Sequence, residues 1–252
     1  MQRYFLQISY KGANYHGWQV QPNVASVQEV IEKVLSTLLH ENIGVVGAGR
    51  TDTGVHASFF ILHFDTENTD INPENFVYKL NSFLPYDIAV QQIRKVKNDA
   101  HARFSAISRT YKYYLTSEKN PFTTETVYRC KQKPDIKKMN EAAKILFEYV
   151  DFTSFSRLHT DVKTNNCKIY QAEWVEDDNI LTFTIKADRF LRNMVRAIVG
   201  TLLEVGKGKL SEEDFRSIIE QKNRNYAGAS APAHGLFLVD IEYPENIFEA
   251  NP

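Results

Sequence analysis

Cysteine is scarce in this chain, with only Cys130 and Cys167 among 252 residues. Neither has a second Cys or a His close by at the spacing of metal ligands, so the pattern argues against a zinc site. At this density a disulfide framework is also excluded. The sequence therefore predicts two unpaired thiols in a reducing compartment, and no metal.

Long hydrophobic runs are missing as well. The longest apolar stretches are far shorter than the ~20 residues that a transmembrane helix needs, and residues 1–7 lack the apolar core of a secretory signal peptide. Hydrophobic residues make up 43% and charged residues 24% of the chain, which is typical of a globular protein built as one large domain or two small ones. We expect a cytoplasmic protein with no membrane association.

The chain also lacks an excess of positive charge. Lysine and arginine number 30 against 31 acidic residues, so the formal net charge is −1, and the sequence pI is about 6.7. Many nucleic-acid-binding domains are strongly basic. A role in binding RNA or DNA would therefore require lysines and arginines to gather on one face of the molecule.

What the sequence does contain is a glycine-rich stretch of unusual chemistry, Gly47–Ala57, which reads GAGRTDTGVHA. Apolar runs on either side predict strands, and loops between strands often carry functional groups. Its three glycines permit tight turns and a close approach of a ligand. Arg50 and Asp52 stand two residues apart within it. The local pattern leaves two readings open: a polar turn in which Asp52 caps backbone amides, or a catalytic loop.

Three kinds of chemistry can be compared with this loop. Asp52-Thr53-Gly54 matches the D-T-G of aspartic proteases, but no second D-T-G or D-S-G exists to share the proton, and Arg50 would hold Asp52 ionised. A phosphate-binding P-loop requires a terminal Gly-Lys-Ser/Thr, which is absent. The third reading is a single ionised carboxylate that acts as nucleophile or base on a flat, electron-poor ring.

Hydrophobic periodicity and capping residues predict a mixture of strands and helices. The expected strands are 3–10, 45–46, 59–64, 87–96, 109–115, 168–175, 180–187 and 236–243. The expected helices begin at the caps Ser26, Asn72 and Ser211, or cover residues 135–149, with Phe147 inward, and 190–205. Residues 116–134 read as a linker or excursion. Because strands and helices are mixed without strict alternation, we expect an α+β fold with a largely antiparallel sheet, divided near residue 105 into halves 1–105 and 106–252.

Two further segments allow a functional or a purely structural interpretation. The loop Lys11–Gln19 is rich in glycine and aromatic residues, which suits packing onto the core and also stacking against a flat ligand. In the predicted helix 190–205, Arg189, Arg192 and Arg196 would lie on the face opposite the apolar residues. Such a row can contact successive phosphates, although three charges on one helical face more commonly form a solvated surface.

The motifs taken together resemble the bacterial tRNA pseudouridine synthase A family, whose signature G-R-T-D-x-G-V-H holds the catalytic aspartate. The resemblance is colinear over nearly the whole chain. It extends to the segments 15–19, 26–29, 101–106, 109–111, 151–155, 193–200 and 235–238. The sequence departs from the family at Thr53, where Ala is common, and in the loop Leu158–Asn166.

The resemblance implies an enzyme that isomerises uridine to pseudouridine at positions 38, 39 and 40 of the tRNA anticodon arm. It implies a homodimer that needs no cofactor and no metal. The implied fold consists of two ferredoxin-like halves that form a largely antiparallel central sheet, with helices packed on it and an active-site cleft between the halves. A non-catalytic tRNA-binding protein of the same fold is the alternative, although such a protein would be expected to lose the catalytic residues.

The resemblance also implies a role for individual residues. Asp52 would be the essential carboxylate, kept ionised by Arg50 and Arg196, and Arg50 would also fill the gap left by the extracted base. Tyr111 would stack on the target uracil and assist the final deprotonation at C5, and Leu236 would form an apolar wall. Whether Asp52 attacks C1′, adds to C6 or removes a sugar proton stays open at the level of sequence.

Overall fold

A computed structural model describes residues 1–157 and 164–249 of the chain. The gap at residues 158–163 falls in the loop whose sequence departs from the family pattern, so that part of the loop lies outside the described residues. The strands are β1 Gln2–Tyr10, β2 Val46–Gly47, β3 His56–Thr66, β4 Ile88–Val96, β5 Ser108–Thr116, β6 Tyr128–Arg129, β7 Ile169–Asp177, β8 Ile180–Ala187 and β9 Leu236–Glu242. The α-helices are α1 Val27–Leu39, α2 Pro73–Phe83, α3 Ile136–Lys144, α4 Met194–Gly206 and α5 Glu212–Glu220. None of the helices in the described ranges has the length and apolarity to span a membrane.

Residue contacts divide the chain into two compact units. The first comprises residues 1–107 and the C-terminal residues from Leu238 onward, and the second comprises residues 108–237. A single boundary near residue 105 does not describe this division, because the chain returns to the first unit within β9.

The sheet of the first unit is antiparallel and has the order β4-β1-β3, with β2 and β9 also adjacent to β3. Alternate side chains of β1 face the core, where Tyr4, Leu6, Ile8 and Tyr10 are all buried, as the period-two pattern predicts. Helix α2 packs on β4 and also contacts α1. The core of this unit therefore lies between one face of the sheet and the two helices.

The second unit is built around the antiparallel strands β5, β8 and β7, with β6 parallel to β5. Helix α3 packs on β7 and α4, and α5 contacts both α3 and α4. Helix α4 is the central helix, since most of its side chains are buried. The predicted class, α+β with a largely antiparallel sheet, is confirmed.

The helix starts that were predicted from capping residues are correct. The Ser26 hydroxyl accepts a hydrogen bond from the Glu29 amide at the start of α1. The side chain of Asn72 does the same for Asn75, and Pro73 is the first residue of α2. At α5, Ser211 and Asp214 form a reciprocal capping box. Side-chain oxygens that satisfy the first free amides thus fix these boundaries locally.

The predicted start of α4 at Phe190 is wrong. The helix begins at Met194, because Asn193 adopts a left-handed conformation with φ of 66° that no continuous helix can contain. Arg189 and Arg192 therefore precede the helix, and only Arg196 lies in it. The predicted row of three arginines along one helical face does not exist.

The predicted helix 135–149 is also interrupted. Helix α3 ends at Lys144 and continues as a 3₁₀ turn from Ile145 to Glu148. With three residues per turn in place of 3.6, the tighter helix rotates its side chains relative to the expected apolar face. Phe147, which was predicted to point inward, is consequently 50% exposed.

Candidate functional site

The loop that carries Asp52 connects β2 to β3 through a tight turn. The turn is closed by a hydrogen bond from the Val55 amide to the Asp52 carbonyl, 3.1 Å long. Gly54 has a φ of 76°, a conformation that glycine adopts without the penalty of a Cβ atom. Asp52 is half-buried in this turn, whereas Arg50 is exposed.

The glycine-rich loop 11–19 packs directly against the Asp52 loop. The Trp18 amide donates to the Thr51 carbonyl at 3.2 Å, and the Gly54 amide donates to the Tyr15 carbonyl at 3.4 Å. The side chains of Tyr15 and Trp18 are only 6% and 3% exposed. Of the two interpretations of this loop, packing onto the core is therefore the correct one, and its aromatic rings serve to hold the neighbouring loop.

Buried side chains also form hydrogen bonds that fix the Asp52 loop. The hydroxyls of Tyr10 and Thr51 are hydrogen-bonded at 2.8 Å, and the Nδ1 atom of His56 accepts from the Gly12 amide at 3.0 Å. His56 is fully buried, so this residue of the signature has a structural role. The sequence showed no sign of the part played by Tyr10, because a buried strand tyrosine resembles any other core residue.

Close approach explains two glycines in this region. A Cβ atom on Gly12 would lie 2.0 Å from the Val55 carbonyl oxygen, and one on Gly17 would lie 2.4 Å from the Thr51 carbonyl oxygen. Both separations are far inside van der Waals contact. The absence of a side chain at these positions lets the two loops touch through their backbones.

Gly49 and Arg50 differ from the rest of the loop, since packing does not explain them. A Cβ atom on Gly49 would have no neighbour within 4 Å among the described residues. The Arg50 guanidinium forms no hydrogen bond or ion pair with residues 1–157 or 164–249. A glycine beside an arginine that the protein leaves unengaged is suited to meeting a ligand from solution.

Tyr111 lies in the middle of β5, opposite Ile185 of β8. Its ring is half-exposed and makes an edge-to-face contact with Phe190 at a centroid distance of 5.1 Å. Tyr113, two residues further along the strand, is fully buried and donates its hydroxyl proton to the Pro232 carbonyl. Burial raises the pKa of Tyr113, so that hydroxyl is a neutral structural donor, and Tyr111 is the better candidate for contact with a ligand.

Leu236 begins β9 and is buried, with 5% of its surface exposed. Its position depends on Gly235, where a Cβ atom would lie 2.7 Å from the ring of Tyr113. Leu236 therefore directly follows a residue that packs against Tyr113 of β5, in the second unit.

Arg196, on the first turn of α4, is held by the segment 224–231, which we call the strap. Its Nε atom donates to the Ala231 carbonyl at 2.8 Å, and its own carbonyl accepts from the Ala231 amide at 2.9 Å. This pair of contacts fixes the orientation of the guanidinium group relative to the helix.

The strap itself is tied to α4 and to the residue before it. The Ser230 hydroxyl accepts from Asn193 Nδ2 at 2.7 Å and from Arg224 Nη2 at 2.9 Å. Gly200 permits the contact, because a Cβ atom there would lie 1.8 Å from the Ala229 carbonyl oxygen. Sequence reasoning missed Arg224 and Ser230, and a single hydroxyl in a Gly/Ala/Ser stretch gave no signal for them.

The predicted site residues are therefore placed in two sets. Arg50 and Asp52 lie on one loop of the first unit, and the second unit presents Tyr111, Arg196 and Leu236. Arg189 and Arg192 lie in the segment between β8 and α4, where Arg189 is half-exposed and Arg192 is exposed.

Comparison with known proteins gives consistent results. The family described as tRNA pseudouridine synthase matches residues 7–105 and 142–244. A protein named tRNA pseudouridine synthase A from Bacteroides fragilis is 59% identical over 250 residues, covering 99% of each chain. Proteins of the same name from Porphyromonas gingivalis and Bacillus subtilis are 53% and 42% identical, covering 98% and 94% of this chain and 100% and 97% of their own.

Proposed function

The chain belongs to the tRNA pseudouridine synthase family, and we propose that it isomerises uridine to pseudouridine in tRNA with Asp52 as the catalytic carboxylate. The observation that carries the proposal is the construction of the Asp52 loop. Backbone hydrogen bonds at Thr51, Gly54 and Val55 fix the turn from within the first unit, while Gly49 and Arg50 beside it are open to a ligand.

The reaction rearranges one nucleotide without adding or removing atoms overall. The N1–C1′ bond breaks, the uracil turns, and C5 forms the new bond to C1′. C5 then loses its proton, and N1 gains one. Because reactant and product have the same composition, we expect that no cofactor is consumed. A carboxylate that attacks C1′, adds to C6 or removes a sugar proton serves this chemistry in its ionised form.

The target nucleotide has to leave its stack before it can react, at a cost of a few kcal/mol that is smallest in a loop. In the proposal Tyr111 stacks on the extruded uracil, which returns about 1–3 kcal/mol, and Leu236 provides an apolar wall. Arg50 occupies the gap left by the base. The Tyr111 hydroxyl assists the removal of the C5 proton.

Arg196 has a different proposed role from the two arginines that precede its helix. Its guanidinium is oriented by Ala231, so it is suited to favouring the charged form of a carboxylate at a fixed place. Arg189 and Arg192 are proposed to contact phosphates, which position an RNA without reading its sequence.

The finer features of the proposal follow from the family resemblance. They are modification at positions 38, 39 and 40 of the anticodon arm, action as a homodimer, and a cytoplasmic location. A net charge near zero is compatible with this, because recognition of RNA shape needs a basic surface and not a basic protein. The competing function is that of a tRNA-binding protein without activity. The presence of both Asp52 and Tyr111 favours the enzyme.

The test is release of tritium from C5-labelled uridine in unmodified tRNA transcripts, followed by mapping of the modified positions. Asp52→Asn keeps the size of the side chain and removes its charge, so we expect tritium release to fall to background while tRNA binding is retained. Asp178→Asn is the matched control, because Asp178 is exposed in the β7–β8 turn. If Asp52→Asn kept activity within about tenfold of the parent, Asp52 would have no essential role.

A further inference from the structure

The sheet of the first unit has a second face, opposite the one that carries Leu6 and Ile8. Strand alternation places Phe5 and Gln7 of β1, Phe59 and Ile61 of β3, and Gln92 and Arg94 of β4 on this face. These six side chains line a cavity of about 280 Å³. The proposed reaction uses none of them.

The outer wall of this cavity is formed by the residues that follow β9. The Phe5 ring contacts Tyr243 and Phe248 edge-on, at centroid distances of 5.2 and 6.2 Å. The Arg94 guanidinium stacks on the Phe248 ring at 3.8 Å. Backbone hydrogen bonds from Lys97 to the Ile247 carbonyl and from Glu249 to the Lys95 carbonyl hold the wall in place. The cavity is therefore bounded by anchored elements.

Two glutamine side chains line the cavity, half-buried Gln7 and exposed Gln92. Gln7 and Gln92 are directly opposite each other in the pairing of β1 with β4. Neither side chain forms a hydrogen bond within the described part of the chain, although the neighbouring Gln91 is bonded to Ser9. The register shifts immediately beside this pair, between Gln7 and Ile8, and β-bulges of this kind redirect side chains.

The chemistry of the lining restricts what the cavity can bind. Its one cation, Arg94, is stacked on Phe248, and the carboxylates of Glu242 and Glu245 also line the cavity. This balance does not favour a phosphate group. Amide groups, carboxylates and aromatic rings together suit a neutral, flat heterocycle that carries N–H donors and acceptors. At about 280 Å³ the cavity is smaller than most ligand pockets, which fits one ring system and no extended ligand.

We propose that this cavity binds one unpaired base of the RNA substrate, separate from the uridine that reacts. The base would stack on the half-buried ring of Phe59, and the amides of Gln7 and Gln92 would hydrogen-bond its edge. Aromatic residues on the central strands of an open sheet bind bases in this way, independently of which base is present. The inference rests on the proposed function only in taking tRNA as the RNA.

The test is direct binding of fluorescein-labelled, unmodified tRNA transcript, with the dissociation constant measured by anisotropy at fixed salt. Phe59→Leu keeps an apolar side chain but removes the flat ring, and Gln7→Leu with Gln92→Leu removes both amides. Phe59→Leu should weaken binding about 5- to 150-fold, the range expected for the loss of one stacked base. The double glutamine change should also weaken binding, because it removes both hydrogen-bonding amides. Phe83→Leu is the matched control: Phe83 is 58% exposed on α2, so this variant should bind tRNA as the parent does.

Thermal melting of every variant separates loss of binding from loss of folding. If Phe59→Leu melts lower but binds tRNA with the parent's dissociation constant, the cavity is only a gap in packing and the inference is wrong. It is also wrong if these variants change the sedimentation of the protein and not its affinity for RNA, since the face would then join two copies of the chain. A parent protein that released no tritium would contradict the proposed function. If the variants of such a protein still bound RNA more weakly than the parent, the base site would be supported.

Discussion

The Asp52 loop and the strap around Arg196 hold their charged residues in different ways. The Asp52 loop is fixed chiefly by backbone groups, which meet those of loop 11–19 at distances that only glycine allows. The side chains of Tyr10 and His56 add one hydrogen bond each. The strap also has backbone contacts with α4, at Gly200 and at the Arg196 carbonyl. It differs in having a side-chain network as well, in which Arg224 and Asn193 both donate to the Ser230 hydroxyl. A backbone contact has almost no freedom to adjust, whereas a side chain can rotate to a new partner.

This difference indicates how precisely each residue has to be placed. A group that forms or accepts a bond in the reaction loses much of its effect when it is displaced by about 1 Å. A guanidinium that acts through its charge tolerates more movement, because Coulomb energy changes slowly with distance. The side-chain network that can adjust is found on the side of the arginine, and the carboxylate loop is held chiefly by backbone contacts, in agreement with the proposed roles.

Of the changes that test this comparison, adding one methyl group at Gly12, where the two loops touch, should have the largest effect on stability and activity. Gly12→Ala places a Cβ atom 2.0 Å from the Val55 carbonyl oxygen, so one of the two loops has to move. Overpacking of this kind costs about 1–3 kcal/mol of unfolding free energy, and the displaced turn should reduce tritium release more than tRNA binding. Thermal melting and the tritium assay measure the two effects.

Gly49→Ala is the matched control for that substitution. The same methyl group meets no described atom within 4 Å, so the melting temperature should equal that of the parent. Reduced activity in this stable variant would mean that RNA approaches Gly49 closely. If Gly12→Ala and Gly49→Ala were equally stable and equally active, the loops would not be held by their backbone contact.

A smaller effect should follow from loosening the strap. Ser230→Ala removes the acceptor shared by Asn193 and Arg224, which should lower the free energy of unfolding by about 1–2 kcal/mol. Arg196 keeps its bond to Ala231, so activity should fall only a few-fold. Ser217→Ala is the control, since Ser217 is exposed on α5. If Ser230→Ala lost activity as completely as Asp52→Asn, Arg196 would have to be positioned as precisely as Asp52.

Features that depend on neighbouring residues were predictable from the sequence. Strand β8 was expected at 180–187 and occupies those residues, because its alternation and the turn before it are local signals. The start of α1 is fixed by Ser26, and its C-cap residue His40 is left-handed. The signature around Asp52 was recognisable for the same reason, as its glycines, cation and carboxylate are adjacent in the chain.

Features that depend on distant residues were not predictable. The late start of α4 results from the left-handed Asn193, whose amide is bonded to Ser230, 37 residues away. The contact of Gly12 with Val55 and the bond between Tyr10 and Thr51 join segments about 40 residues apart. Periodicity carries no information about such pairs. The arginine row failed for this reason, whereas Arg196 alone, inside the helix, was assigned correctly to α4.

The smallest effect concerns Arg189 and Arg192, the two arginines that α4 does not contain. If both contact phosphate, replacing them with glutamine should reduce the slope of log Kobs against log salt by up to about 1.4–1.8, at about 0.7–0.9 for each contact. Lys137 and Lys138, both exposed at the start of α3, provide the control pair for the same loss of two charges. Equal slopes for the two double variants would remove any specific role for the segment before α4. A change confined to the Arg189 and Arg192 variant would assign phosphate contacts to the segment before α4.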